Sequence, residues 1–304
     1  MFVGGVPMMM GGALSTVYAI IAGGYNGSVN VSTVSEYQFS NAAMSSGTAL
    51  AATKRGAAAA GNETRGIVSS GFTTVLVADS EKYTYSDHTR VTATTLSNAK
   101  WAKAACGTTT TGYFNGGSTT GYASVIANTE KYLYSADTVS AGTSLTTAKT
   151  THAATGNATK GVFGAGYTGA AWSLTTEEYT YSGDTKAAGT SLGVARNGLA
   201  AAGNSTFGVF GGGNAAGTYV ATTDEYIFSS SARSAGTNAA STLSDRSASS
   251  TSGVAAFFGG TDQSGLVRAY CETYDLSSKV TASTTSLGVA ISSTTSCAAT
   301  SNGL

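Results

Sequence analysis

Short apolar runs ending in glycine recur along the chain: Ile20 to Gly24, Ile67 to Gly71, Tyr113 to Gly117, Val162 to Gly166, Val209 to Gly213 and Phe257 to Gly260. Each precedes a segment centred on tyrosine, and the tyrosines Tyr37, Tyr83, Tyr132, Tyr179, Tyr226 and Tyr274 follow one another at steps of 46, 49, 47, 47 and 48 residues. Alternation such as Tyr83 with Tyr85 or Tyr179 with Tyr181 has period two, the mark of strands. Next comes a Thr/Ser-Leu segment, then a basic residue and an Ala-rich run closed by Gly-Asn, clearest over Lys54 to Asn62, Lys149 to Asn157 and Arg196 to Asn204. The Gly-Asn pairs fit hairpin turns that need positive φ. Ala57 to Ala60 and Ala200 to Ala202 would also suit a helix. The Thr/Ser-rich copy at Ser249 to Ser252 and the adjoining turns favour strands.

Four short strands per repeat make one antiparallel blade. No single blade can bury both of its faces, whereas radial stacking gives each a neighbour on either side. The chain is therefore read as all-β: a six-bladed β-propeller of four-stranded antiparallel blades over residues 16–304, preceded by an arm of residues 1–15. Inner-strand copies are placed at Lys54, Lys100, Lys149, Arg196, Arg246 and Ile291, and none stands just before Val17. Closure by the C-terminal strand is thus expected, with about Ser292 to Thr300 pairing with Tyr18 to Gly24 in the first blade.

Two residues before each repeated tyrosine stand Ser35, Glu81, Glu130, Glu177, Asp224 and Glu272, acidic in all blades but the first. The basic series also fails once, at Ile291. Closure would put both failures in one blade, leaving five structural pairs: Lys54 with Glu81, Lys100 with Glu130, Lys149 with Glu177, Arg196 with Asp224 and Arg246 with Glu272. Removing one member of a buried pair costs on the order of 3 kcal/mol, while losing both can be nearly neutral, so a joint loss is energetically reasonable. The glycine doublets are expected to leave the gap across which the side chains meet.

The glycine-ended second strand, the Glu-x-Tyr of the third, and the basic residue followed by small residues on the innermost together resemble the kelch repeat family. The tryptophan that family carries after the tyrosine is absent, and Leu50, Leu96, Leu145, Leu192, Leu243 and Leu287 stand nearby instead. Phrases such as Thr175 to Asp184 and Ala187 to Leu192 are similar in style to those of bacteriophage virion proteins. That resemblance implies a non-enzymatic structural or binding component of a virion: a tail, fibre or surface-decoration protein. Its partners would be other virion proteins, reached through residues 1–15, and a host surface glycan. A secreted carbohydrate-binding or carbohydrate-active propeller is the alternative.

Composition narrows the chemistry. The chain of 304 residues carries 16 Lys plus Arg against 16 Asp plus Glu, so it offers no basic field for nucleic acid. Sixteen Tyr and ten Phe argue against a disordered chain. The apolar stretch Met1 to Gly24 has no basic residue before Lys54 and is broken by glycines, so neither a secretory signal nor membrane insertion is expected. Cys106, Cys271 and Cys297 lack metal or disulfide spacing and are read as small hydrophobes. His88 and His152 are read as structural or solvated. No cofactor, metal or catalytic residue is expected. The Asn-x-Ser/Thr sites at Asn26, Asn30, Asn62, Asn157 and Asn204 are read as turn chemistry. Binding is placed on the least repetitive loops, between second and third strands: Tyr25, Asn26, Tyr122, Tyr167, Trp172, Asn214, Tyr219, Asp262, Gln263 and Arg268, types that stack on and hydrogen-bond to sugars or protein surfaces.

Overall fold

A computed structural model describes residues 18–292 and 298–301, the last four by backbone alone. It is a six-bladed β-propeller of four-stranded antiparallel blades. From the innermost strand outward, blade I is Ala298–Ser301, Tyr18–Ala22, Val34–Gln38 and Ala43–Ser46. Blade II is Ala58–Gly61, Arg65–Phe72, Leu76–Thr84 and Thr89–Ala93. Blade III is Ala104–Gly107, Thr111–Asn115, Thr129–Leu133 and Thr138–Gly142. Blade IV is Ala153–Gly156, Lys160–Gly164, Thr176–Thr180 and Thr185–Gly189. Blade V is Ala200–Gly203, Phe207–Gly211, Thr223–Ile227 and Ala232–Ala235, with a ribbon of Asn214–Ala215 and Thr218–Tyr219 in its loop. Blade VI is Ser247–Ser250, Val254–Phe258, Cys271–Asp275 and Thr281–Ser283. The alanine runs are strands.

The expected closure needs correction. No sheet is closed: each blade is an open ladder with an inner and an outer edge, because adjacent blades meet face to face. In blade I the innermost strand Ala298–Ser301 runs antiparallel to Tyr18–Ala22 over four pairs, Ala19↔Ser301 to Ala22↔Ala298. That is shorter than the pairing expected from Ser292 onward, and Ser292 itself makes a lone bridge to Tyr25. The arm, residues 1–15, lies outside the described residues.

Between blades the joint is apolar. Both faces of each second strand are covered, so Val162 and Phe163 are equally buried although they point opposite ways. Each seam has its own cluster, as in Val209, Phe257, Tyr274 and Leu276 between blades V and VI, or Ile21, Tyr37, Phe258 and Ile291 between VI and I. The leucines after the repeated tyrosines, Leu50, Leu96, Leu145, Leu192, Leu243 and Leu287, are all buried in or beside these seams.

The terminal glycines serve the seams, and at Gly260, where a Cβ would lie 2.8 Å from Arg246 Cγ, also the expected side-chain gap. The closing glycine of each run, preceded by glycine in four blades, by Ser70 in blade II and by Ala165 in blade IV, donates its N–H to the backbone entering the next inner strand: Gly24 to Lys54 (2.8 Å), Gly71 to Lys100 (3.1 Å), Gly117 to Lys149 (2.8 Å), Gly166 to Arg196 (2.8 Å), Gly213 to Leu243 (2.9 Å) and Gly260 to Ile291 (2.9 Å). Gly213 has φ +107°, and a Cβ there would lie 2.7 Å from the Asn197 carbonyl oxygen, so no side chain fits. The Gly-Asn turns also work differently from expectation. Asn62, Asn157 and Asn204 are not among the positive-φ residues. Each instead accepts N–H bonds from residues two and three ahead, as Asn204 Oδ1 does from Thr206 (2.9 Å) and Phe207 (3.1 Å).

A second coupled series ties the outer strands. The residue before each repeated tyrosine reads Glu36, Lys82, Lys131, Glu178, Glu225, Thr273, and the residue five after it reads Ala42, His88, Asp137, Asp184, Ser231, Lys279. All of the latter have positive φ, between 48° and 60°, in the turn to the outer strand. The first series meets the second one blade further on: Glu36 with His88 (2.7 Å), Lys82 with Asp137 (3.7 Å), Lys131 with Asp184 (2.7 Å), Glu178 with Ser231 (2.5 Å) and Glu225 with Lys279 (2.5 Å). The buried tyrosines join in, Tyr226 donating to Glu178 (2.8 Å) and Tyr274 to Glu225 (2.6 Å). At the seam from blade VI to blade I the two positions, Thr273 and Ala42, are uncharged.

Candidate functional site: the loop face and the axial mouth

Five residues at the head of the inner strands, Gly56, Ala102, Thr151, Gly198 and Asp245, share a positive φ. Their backbones form a chain of hydrogen bonds from blade to blade: Ala102 N–H to Gly56 (2.8 Å), Thr151 to Ala102 (2.8 Å), Gly198 to Thr151 (2.9 Å) and Asp245 to Gly198 (2.6 Å). This collar constricts the axial channel on the face that carries the loops between second and third strands. Behind it the channel is walled by alanine, glycine and serine. The space it encloses measures about 60 Å³ just inside the collar and about 350 Å³ at the opposite mouth, among the turns of Thr108, Asn157, Asn204 and Thr251.

The spokes behind this face are the expected acid–base pairs, with two differences. Lys54 lies 2.9 Å from Glu81, Lys100 2.7 Å from Glu130, Arg196 2.8 Å from Asp224 and Arg246 2.6 Å from Glu272, all buried. Lys149 is buried but makes no ion pair with Glu177. Its ammonium donates to the Thr175 carbonyl (2.8 Å), and the Glu177 carboxylate accepts the N–H groups of Thr146 (2.6 Å) and Thr147 (3.0 Å). Burial pushes the Lys149 ammonium down to about 8, with the Glu177 charge opposing. The second difference is register. By its backbone bond from Gly213, the residue equivalent to Arg196 is Leu243, and Arg246 stands three residues later, where the other blades have Ala57, Lys103, His152 and Leu199.

Burial holds the His152 imidazole neutral, down to about 3. His88 is the turn partner of Glu36 described above. Cys106 is half-buried and Cys271 buried, their thiols pushed up by burial to about 12 and about 11, while Cys297 lies outside the described residues. Among the described residues no three His, Cys, Asp or Glu side chains are grouped so as to hold a metal ion, and no helix is long and apolar enough to cross a membrane.

Of the loop residues singled out in the sequence, Tyr122, Tyr167 and Trp172 come together. With Trp101, which sequence reasoning passed over, they form one aromatic row across blades III and IV: Trp101 to Tyr122 5.5 Å, Tyr122 to Tyr167 5.7 Å and Tyr167 to Trp172 6.3 Å, each edge to face. Tyr122 is 42% and Trp172 40% exposed, unusual for large rings that have neighbours to pack on. The Trp172 indole N–H donates to Asn197 Oδ1 (3.1 Å), which leads the row to the collar. The remaining residues are spent locally. Asn26 caps its own turn, with Ser28 N–H at 3.0 Å, and Tyr25 packs on the Arg55 guanidinium. Asn214 accepts from Gly217 (2.7 Å), and Gln263 clips the Tyr219 loop by accepting its N–H (2.7 Å). Asp262 is ion-paired with Arg268.

Asp245 is the residue the sequence hid. Its carboxyl makes no hydrogen bond or ion pair within the described residues, and burial pushes it up to about 8. Both the Tyr122 and Tyr219 phenols are raised, by burial first and then by the Asp245 charge, so the three groups crowd one mouth. Only its place after Ser244 in a degraded repeat could have signalled it. Compared with known proteins, the chain matches no protein-family model and no curated protein.

Proposed function

We propose that the chain is a non-enzymatic, kelch-like binding propeller built into a bacteriophage particle as a tail, fibre or surface-decoration component. Its loop face is turned outward to recognise the host surface or another virion protein. The observation that carries this reading is the aromatic row from Trp101 to Trp172, with Tyr122 and Trp172 exposed to solvent, a surface that stability alone does not call for. The repeated acids support it from the other side, since hydrogen bonds and ion pairs inside the wheel already engage them. Residues 1–15, uncharged and rich in methionine, are the proposed attachment to other virion proteins. Quantitative mass spectrometry of gradient-purified particles tests the assignment. The chain is expected at a fixed ratio to the other particle proteins; its presence only in the soluble fraction would refute the assignment.

A further inference from the structure

We propose that the collar mouth binds an uncharged saccharide, stacked on Tyr122 and Trp172 and hydrogen-bonded through its hydroxyls to Asn197 and Asp245. The proposal rests on the loop face being the recognition surface and names the ligand class it takes.

Three features point to this chemistry. First, the row places two solvent-exposed rings, Tyr122 and Trp172, on either side of Tyr167 at steps comparable with the length of a pyranose ring, and aromatic rings favour the C–H side of a sugar. Second, the mouth keeps unspent polar groups beside those rings. Asn197 uses its oxygen on the Trp172 indole, while its NH2 makes no hydrogen bond within the described residues. Asp245, whose N–H binds the Gly198 carbonyl next to Asn197, holds an unpartnered carboxyl against the same collar. A few convergent polar groups on an aromatic wall are the ordinary makeup of a small-ligand site. Third, charge selects the class. Arg55 is packed between the Tyr25 and Phe72 rings at 5.2 Å from each, and Arg268 is paired with Asp262, so neither meets an anion without giving up its partner.

Among the described residues, the opposite mouth, although roomier, lacks these groups. There Asn157 and Asn204 use their oxygens on their own turns and their NH2 groups on the next blade, at Ser205 (3.2 Å) and Ser252 (3.3 Å).

The test is titration of the whole chain, followed by tryptophan fluorescence and calorimetry, with a soluble neutral glucan, a galactan, a mannan and anionic polygalacturonate. At least one neutral polymer is expected to bind. Trp172→Ala should weaken it by about tenfold or more and Asp245→Asn by a smaller factor, while Ser205→Ala, at the far mouth, leaves it unchanged. Circular dichroism confirms that each variant keeps its fold. Preference for the anionic polymer, or binding indifferent to Trp172→Ala, overturns the proposal. Particles that contain the chain while no saccharide binds would refute the saccharide site alone, leaving recognition of a protein as the role of the face.

Discussion

Arg246 Nη1 lies 2.6 Å from Glu272 Oε2 although the arginine stands three residues beyond the position from which Arg196 reaches Asp224. The long guanidinium side chain tolerates the slip, and Nη2 also donates to the Phe257 carbonyl (3.2 Å). Glu272→Ala, which strands a buried cation, is expected to cost about 3–5 kcal/mol in urea unfolding, whereas Arg246→Met with Glu272→Leu should stay within about 1 kcal/mol of the parent. Equal losses in the single and double variants would show that packing, and not charge, is what matters there.

Lys100 and Lys149 occupy the same repeat position with different partners, Glu130 for the first and a backbone carbonyl for the second. Lys100→Met leaves Glu130 buried without its cation and is expected to destabilise by roughly 3 kcal/mol. Lys149→Met forfeits one hydrogen bond from a costly buried ammonium, and should fall within about 1 kcal/mol of the parent. Denaturation midpoints of the two variants in the reverse order would contradict this.

The outer seam charges form a pairwise code. Lys131 with Asp184 is partly exposed, so its coupling energy in a double-mutant cycle is expected at about 0.5–1 kcal/mol. Lys131→Glu with Asp184→Lys together should recover most of what either swap loses. No recovery would mean that the charge series of Glu36, Lys82, Lys131, Glu178 and Glu225 carries no energy.

Asp245 makes stability depend on pH in a defined window. Its folded value of about 8 lies above the unfolded carboxylate range near about 4, so the native chain holds a proton that the unfolded chain has released. Stability therefore falls as pH rises from about 4 to about 8. The facing groups are the Tyr122 and Tyr219 phenols, both raised by burial above their ordinary value and so protonated throughout that window. Asp245→Asn is expected to match the parent at pH 4 and to exceed it at pH 8 by on the order of 1–3 kcal/mol. A constant difference across the window would place the carboxyl in water.

The repeat was legible because a buried tyrosine, a glycine doublet and a period of two all leave marks at fixed spacing. Four of the five spokes were legible as well, since burial of a charge demands a partner that recurs with it. Lys149 broke the rule because backbone N–H groups satisfy a carboxylate as well as a cation does, and those groups leave no trace in side-chain identity. The same reason hid the collar, where Gly56, Ala102, Thr151, Gly198 and Asp245 share a backbone conformation and nothing else. The seam code was present in the sequence but offset by one repeat, so that Glu178 must be read against Ser231 rather than against its own blade. Tyr122 and Trp172 could be named from their loops; that they meet, and that Trp101 completes their row, depends on how blades III and IV stack.

The most direct measurement is adsorption to host envelope preparations by the whole chain in two variants, Tyr122→Ala with Trp172→Ala on the loop face, and Ser205→Arg with Ser252→Arg at the far mouth. The loop-face variant is expected to lose adsorption by about tenfold or more while the far-mouth variant keeps it. Loss in the far-mouth variant with retention in the other would place recognition at the wide end of the channel and contradict the account.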